Sequence, residues 1–347
     1  MNCDIVIPVF NRLEMTKDCL ESIKEKTTSP YRFIIIDNGS APETRSYLES
    51  FIKTNSSSVL IRNTENLGWV KAVNQGLKIA TAPYVCLLNN DTIARTRGWL
   101  SEMIKICEKS ADIGIVNPYF EIKKLKKDVY DADFIEMDFA RGHCMLIKRA
   151  VIEKIGFFDE AYGMGYRDDH DYSVRALRAG FRSVMLPRII VEHLLNSTFL
   201  SVFNSNNVSE MQRINKALFE SKWGRQLRIV AIVTQKDNTG KAARTLLDLA
   251  RRQHNVYIWN FGRAMHIAHT TIKEMSFPGF CPRFFLSFLL YLNKKKKQAK
   301  HYDVIFTDSE RLKPSPPDDT YKIFFASFSD DGARIIEIAD KLSERRG

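Results

Sequence analysis

The first 120 residues of this 347-residue chain alternate between short apolar runs and stretches of helical periodicity. Asp4–Val9, Phe33–Asp37, Val59–Arg62 and Tyr84–Leu88 are continuous apolar runs of strand length. Between them, Met15–Thr27, Pro42–Asn55 and Val70–Ala80 carry apolar residues at the spacing of one helix face. A chain that repeats strand and helix in this way pairs its strands in parallel through right-handed crossovers. The expected fold is an α/β sandwich with a mostly parallel sheet. Such sheets bind ligands beyond the carboxyl ends of their strands. The polar residues at those ends are Asn11, Asp37, Asn38, Asn89, Asn90 and Asp91.

Residues 120–140 interrupt the pattern with charged, irregular sequence and read as a surface excursion. A second block then predicts a strand at Cys144–Lys148, helices at Arg149–Ile155 and Asp171–Ala179, and strands at Ser183–Leu186 and Ile190–His193. Asn207–Trp223 reads as a helix closing a first domain, residues 1–224. The pattern restarts in residues 225–347 with strands at Leu227–Thr234, Val256–Trp259, Asp303–Thr307 and Ile323–Phe328. Helices are expected there at Ala242–Arg252 and Gly332–Ser343, which makes a smaller Rossmann-like α/β module.

Composition decides what the chain is not. Hydrophobic residues at 44% and charged residues at 27% are the balance of a globular protein. No apolar run reaches the roughly 18 residues a membrane-spanning helix needs, and the first residues show no secretory signal. Six scattered cysteines without C-x-x-C spacing argue against zinc or a disulfide framework and fit the cytoplasm. The net charge of +11 is concentrated: residues 225–347 carry 22 Lys and Arg against 13 Asp and Glu. That excess suits an anionic surface. Its Lys294–Lys297 run lacks interleaved aromatics, so nucleic acid is not an expected partner.

Three segments have the residue types for chemistry. Leu87-Leu-Asn-Asn-Asp-Thr92 puts Asp91 just past a buried strand, where oxygen ligands hold Mg²⁺ or Mn²⁺ on a diphosphate. Asp37-Asn-Gly-Ser40 ends a second strand in the same way. Gly165-Tyr-Arg-Asp-Asp-His-Asp-Tyr-Ser-Val-Arg175 gathers three carboxylates before a helix. Asp171 suits the cap, while Asp168 and Asp169 are expected on the preceding loop, where one can act as a general base. Taken singly, the first and third read equally well as a turn or a solvated acidic loop, and Asp37-Asn-Gly-Ser40 alone reads better as a turn. Gly240-Lys241 is not a phosphate loop, because the upstream Gly and the following Ser or Thr are missing.

Their order along the chain is what carries identity. Ile5-Val-Ile-Pro-Val-Phe-Asn-Arg12, Ile35-Ile-Asp-Asn-Gly-Ser40, Asn66-Leu-Gly-Trp-Val-Lys-Ala-Val-Asn74, Leu88-Asn-Asn-Asp91, Gly156-Phe-Phe-Asp-Glu160, Asp168-Asp-His-Asp171 with Arg175, and His193 follow one another. In that order they resemble the inverting family-2 glycosyltransferases of the GT-A fold, especially bacterial rhamnosyltransferase-like polysaccharide enzymes. The resemblance implies a nucleotide-diphospho-sugar transferase fold in residues 1–224. It implies donor contacts at Pro8, Asn11, Asp37, Asn66, Gly68, Lys71, Asn74, Asn89 and Asn90, with Asp37 on the base. It implies Mn²⁺ or Mg²⁺ on Asp91 and His193, catalysis by Asp169, and support from Asp168, Asp171 and Arg175. Two departures stand out. Asn89 replaces the first acid of the D-x-D motif, and Asp168 replaces the usual Glu.

The implied reaction moves a sugar from a UDP-, dTDP- or GDP-linked donor to a hydroxyl of a saccharide or lipid-linked saccharide, in cell-surface polysaccharide or glycolipid synthesis. The competing reading, motivated by Asn89 and the appended module, is a nucleotide-sugar-binding scaffold without turnover. The module itself resembles part of a GT-B N-terminal domain, too short for a second active site. Its Phe280–Leu292 run with Lys294–Lys297 has two readings: a buried helix, or, across residues 280–300, a peripheral contact with the inner face of an anionic membrane.

Overall fold

The computed structural model describes residues 2–120, 132–194, 205–234, 239–279, 283–295, 300–314, 321–328 and 330–344. It divides into two compact units, Met1–Phe219 and Glu220–Gly347.

The first unit is built on one nine-stranded, mostly parallel sheet. Its centre is β1 (Cys3–Val9), whose residues are all buried. A run apolar on both faces is what a parallel strand covered by helices on both sides requires. β2 (Tyr31–Asn38) and β4 (Tyr84–Leu88) pair parallel on either side of it, and β3 (Val59–Asn63) extends the sheet beyond β2. The connecting helices are α1 (Leu13–Lys26), α2 (Pro42–Lys53) and α3 (Trp69–Ile79). β8 (Cys144–Lys148) then runs antiparallel between β4 and β6 (Ile113–Tyr119). β9 (Arg182–His193) lies parallel to β6, and pairs antiparallel with the short strands β5 (Thr92–Ala94) and β7 (Ile135–Met137).

Several sequence expectations change in detail. β5, β6, β7 and helix α4 (Trp99–Lys109) were not foreseen. β7 lies inside the expected 120–140 excursion, of which 121–131 fall outside the described residues. The two strands expected at 183–186 and 190–193 are one strand, with a register shift against Pro118 and Tyr119. Helix α5 (Arg149–Ile155) stands where expected, but α6 (Asp168–Arg178) begins three residues before the expected cap, so Asp168 and Asp169 are helical. The first unit ends within helix α7 (Ser205–Trp223).

The core packs Trp99, Phe33, Leu20, Ile23 and Met103 against the central strands. Cys3, Cys19, Cys86, Cys107 and Cys144 are free and buried, and serve as small apolar side chains. Burial pushes the Cys19 and Cys107 thiols up to about 12, which keeps them unreactive. Cys281 lies outside the described residues.

The second unit is a five-stranded parallel sheet in the order β12 (Ile272–Ser276), β11 (Asn255–Asn260), β10 (Arg228–Val233), β13 (Val304–Thr307) and β14 (Lys322–Phe325). Helices α8 (Thr239–Arg251) and α10 (Gly332–Glu344) share one core with it through Leu246, Leu249, Ile335 and Ala339. Helix α9 (Arg283–Lys294) packs Leu286 and Leu290 into a second cluster with Trp259 and Ile305. Helices on both faces of a parallel sheet make this a Rossmann-like three-layer module.

Candidate active site

The carboxyl ends of β1 and β4, the start of α3, the turn into β8 and the start of α6 enclose a cavity of about 640 Å³. That volume is ordinary for a small-molecule site. Pro8, Asn66, Gly68, Asn89, Asn90, Asp91, Asp168, Asp169 and His193 line it. Its floor is an amide network: Asn38 Nδ2 donates to Asn66 Oδ1 at 2.8 Å, and Leu67 N donates to Asn38 Oδ1 at 3.1 Å. Gly68 has a φ of +86°, and a Cβ there would meet Met164 Sδ at 2.8 Å. Only glycine allows the chain to turn this close to the loop that leads into α6.

At one part of the wall, Asp91 and His193 are neighbours. The antiparallel register sets Thr92 opposite His193, and His193 Nε2 lies 3.2 Å from Asp91 Oδ1. Asn89, in the place of a first acid, accepts a 2.9 Å hydrogen bond from Trp69 Nε1 on Oδ1. His143 stacks on His193 with ring centroids 5.1 Å apart, and its buried Nε2 has no hydrogen-bond partner. Burial and the facing His193 hold the His143 imidazole well below its ordinary pKa, so it stays neutral. Among the described residues no group of three His, Cys, Asp or Glu is arranged around a metal. The pair Asp91 and His193 nevertheless suits a divalent cation, since one carboxylate and one imidazole leave positions open for phosphate oxygens.

The second group of residues stands at the N-terminus of α6. Tyr166 and Arg167 both have left-handed backbone, with φ of 71° and 69°. Two successive non-glycine residues of this kind are costly and need support from around them. Asn215 of α7 supplies it: its Nδ2 donates to the carbonyls of Tyr162 (2.9 Å), Gly165 (2.6 Å) and Tyr166 (3.1 Å), and the side chain is buried.

The loop so held delivers two adjacent carboxylates with opposite properties. Burial, then the charge of Asp169, pushes the Asp168 carboxyl well up. Burial acts on Asp169 too, but it is outweighed by hydrogen bonds from His170 and from Gly142 N, and the net shift is downward. Asp169 Oδ1 faces His170 Nδ1 at 2.9 Å, and Oδ2 accepts from Gly142 N at 3.3 Å. Its side chain keeps 21% of its exposure. Environments that push two neighbouring carboxyls apart define their roles: the ionised one accepts a proton and the neutral one does not.

The remaining expected residues lie elsewhere. Asp37 does not line the cavity: it is fully buried, ion-paired to Arg62, and accepts a hydrogen bond from Ser40 N at 2.8 Å. The parallel register that sets Asp37 beside Arg62 draws it inward. Asn11, with a φ of 57°, donates N–H to Ser40 Oγ and accepts from Ala41 N at 2.8 Å, tying two turns together. Lys71 is exposed on α3, away from the cavity lining. Asn74 is buried and clamps the Gly156–Glu160 segment through Phe158 N and O. Asp171 and Arg175 pair at 2.9 Å, and Arg175 also donates to the carbonyls of Ile155 and Phe157. These last three hold the α5–α6 connection under the site.

Comparison with known proteins decides the family. Residues 4–168 match glycosyl transferase family 2. This segment belongs to that family. A glycosyltransferase of Haemophilus influenzae is 27% identical over 124 residues, 35% of this chain and 38% of its own length. A second, from Methanocaldococcus jannaschii, is 22% identical over 204 residues, covering 54% of this chain and 69% of its own. The chain thus spans well under half of the first relative. Among solved structures, the mannosyltransferase PcManGT of Pyrobaculum calidifontis, in complex with GDP-Man and Mn²⁺, shares the fold. Its TM-score is 0.52 at 18% identity, covering 64% of this chain and 63% of that one. The sheet is that of a GT-A glycosyltransferase.

The cavity is also lined by residues that no motif in the sequence marks. Arg141, Gly142 and His143 enter from the turn before β8, and Gln212 and Lys216 from α7, beyond the matched segment. One signal was available: 212, 215, 216 and 219 fall on one helix face. Phe219 on that face meets His170 edge-on at 5.9 Å.

Proposed function

We propose that the chain is an inverting glycosyltransferase that transfers a sugar from a nucleoside-diphosphate donor to an acceptor hydroxyl. The observation that carries this reading is one cavity lined both by the Asp91–His193 pair and by the split carboxylates Asp168 and Asp169. Asp91 and His193 would hold Mn²⁺ or Mg²⁺, which supplies charge neutralisation on the leaving diphosphate. The family match and the fold likeness to a GDP-Man and Mn²⁺ complex support this choice.

In the reaction, the acceptor oxygen forms its bond to the anomeric carbon as the bond from that carbon to the diphosphate oxygen breaks. Asp169 takes the proton from the acceptor hydroxyl, and the nucleoside diphosphate leaves with the bonding electrons. Attack from the face opposite the leaving group inverts the anomeric centre. Gly142 N–H and His170 hold the Asp169 carboxylate in place. Asn38, Asn66 and Pro8 form the floor on which the nucleotide would lie. A UDP-, dTDP- or GDP-linked donor, a saccharide or lipid-linked saccharide acceptor and a role in cell-surface polysaccharide or glycolipid synthesis complete the proposal. The exposed apolar face of α9 would give the chain a peripheral contact with an anionic membrane.

The test is thermal stabilisation by UDP-, dTDP- and GDP-sugars with and without Mn²⁺, followed by assay of donor hydrolysis. A ligand bound only by the native state raises its stability. A metal-dependent shift with one donor and slow hydrolysis is expected. Binding without any hydrolysis or transfer favours the scaffold reading instead, and no shift with any donor removes both.

A further inference from the structure

Two cations of the cavity have no part in the reaction just described. Arg141 and Arg167 both line it, and neither guanidinium has a carboxylate partner among the described residues. Each is held against aromatic rings. Arg141 stands 4.9 Å over Phe120 and 5.3 Å over Phe139, and Arg167 stands 5.6 Å over Phe219. Two of these rings meet at one histidine: Phe139 lies flat on His170 at 3.4 Å, and Phe219 meets His170 edge-on at 5.9 Å. The middle member, His170, is hydrogen-bonded to Asp169. Two guanidiniums therefore stand at the two ends of an aromatic cluster whose middle ring is hydrogen-bonded to the proposed base.

A cation–π contact fixes the plane of a guanidinium while leaving its N–H donors free. A fork oriented in this way matches a tetrahedral oxyanion, which it can bind through two parallel hydrogen bonds. An uncharged sugar acceptor would not call for it. Lys216, on the α7 face that carries Phe219, adds a third cation to the same wall. The cation proposed for Asp91 and His193 would already serve the donor diphosphate.

We propose that Arg141 and Arg167 form an anion receptor on the acceptor side of the cavity, and that the acceptor carries a phosphate or phosphodiester group near the hydroxyl that is glycosylated. This rests on the reading of Asp169 as the base. The anion would anchor the acceptor so that its hydroxyl meets Asp169.

Binding of glycerol 3-phosphate, measured by calorimetry without donor and with chelator present, tests the proposal independently of activity. The wild type should bind it saturably. Arg141→Ala and Arg167→Ala should each weaken binding about tenfold, and the double variant should abolish it. The binding of whichever of UDP, dTDP or GDP the protein takes with Mn²⁺ should stay unchanged. Arg141→Lys and Arg167→Lys, which keep the charge and lose the fork, should be intermediate, and melting curves check folding. Should either alanine variant fail to fold, the lysine pair decides the matter alone. If the wild type binds no glycerol phosphate, or the variants bind it undiminished, the receptor does not exist. If the variants lose the nucleotide and keep glycerol phosphate, the guanidiniums serve the donor, and the proposal falls. None of these outcomes depends on turnover, so they leave the assignment of Asp91, His193 and Asp169 to its own tests.

Discussion

His193 Nε2 stands 3.2 Å from Asp91 Oδ1, because antiparallel pairing of β5 with β9 sets the two strand ends together. If the pair holds the cation, Asp91→Ala removes the one carboxylate of the pair and should abolish Mn²⁺-dependent nucleotide binding. His193→Ala should weaken it by about 10–100-fold, the range seen when a metal site loses support. Calorimetric titration with and without Mn²⁺ reads both effects. Unchanged metal-dependent affinity in both variants would take these residues out of the site.

Asp169 is the ionised member of its pair, and it faces the cavity from a helix start. Asp169→Asn keeps the shape and removes the proton acceptor. Turnover should fall by about 10²–10⁴-fold, the usual contribution of a general base, with donor affinity nearly intact. Asp168→Asn should cost far less, since Asp168 is already pushed toward its neutral form. Equal losses in the two variants would contradict the division of roles.

Asn215 touches neither donor nor base in this reading, yet its amide serves three carbonyls of the strained loop before Asp168. Asn215→Ala leaves those carbonyls short of a buried donor, at a cost of about 1–3 kcal/mol in stability. The loop should also relax from its left-handed turn, moving Asp169. The signature of a positioning residue is a fall in kcat with little change in donor affinity. Loss of stability at full kcat would mark Asn215 as purely structural.

Asp4 is fully buried and takes two hydrogen bonds from Arg32, at 2.6 and 3.2 Å, with more from Thr81 N and Ala82 N. Burial raises its carboxyl, but these bonds prevail and hold it below the ordinary 3.8. A depressed folded value means the stabilisation is present above about pH 4 and is lost as pH falls through the folded value. Asp4→Asn should therefore cost about 3 kcal/mol at neutral pH. It should also flatten the acid limb of a plot of Tm against pH. An acid limb of wild-type steepness in the variant would assign the acid lability to other carboxylates.

What the sequence revealed and what it hid follow from how each residue is fixed. β1, β2 and β4 were legible because strands buried on both faces are continuous apolar runs. β5 and β7 are three residues long and exist only as partners of β9, so no local pattern announces them. The order of the motifs singled out Asp91, Asp169 and His193, and all three line the cavity. Asp37 shows the limit: the residue is in its expected place in the chain, but its pairing with Arg62 depends on the β2–β3 register. Arg141, Asn215 and Lys216 come from elements distant in sequence; the helix face shared by 212, 215, 216 and 219 groups the last two with each other, but nothing local ties that face to the cavity.

The second unit yields the last prediction. α9 buries Leu286 and Leu290, while Phe284, Phe288, Tyr291 and Leu292 are 74%, 51%, 45% and 41% exposed. Positions 284, 288, 291 and 292 share one helix face, so the outward side is as apolar as the inward one. Both readings of Phe280–Leu292 thus describe half of the helix; residues 280–282 lie outside the described ones. No helix among the described residues is long and apolar enough to cross a membrane. An exposed aromatic face is suited to lying in an interface instead. Lys295 stands 4.9 Å over the Tyr291 ring, and the surrounding 225–347 segment is strongly basic. Each lysine near anionic headgroups adds about 1 kcal/mol, so the occupant argued here is an anionic bilayer surface. The protein should sediment with phosphatidylglycerol-rich vesicles at low salt and be released as salt rises, because surface charge is screened. Phe284→Ser with Phe288→Ser should abolish sedimentation without lowering the melting temperature, since neither side chain is buried. Protein that stays in the supernatant at low salt would exclude the membrane contact. Concentration-dependent dimerisation lost in the same double variant would assign the face to a second copy of the chain.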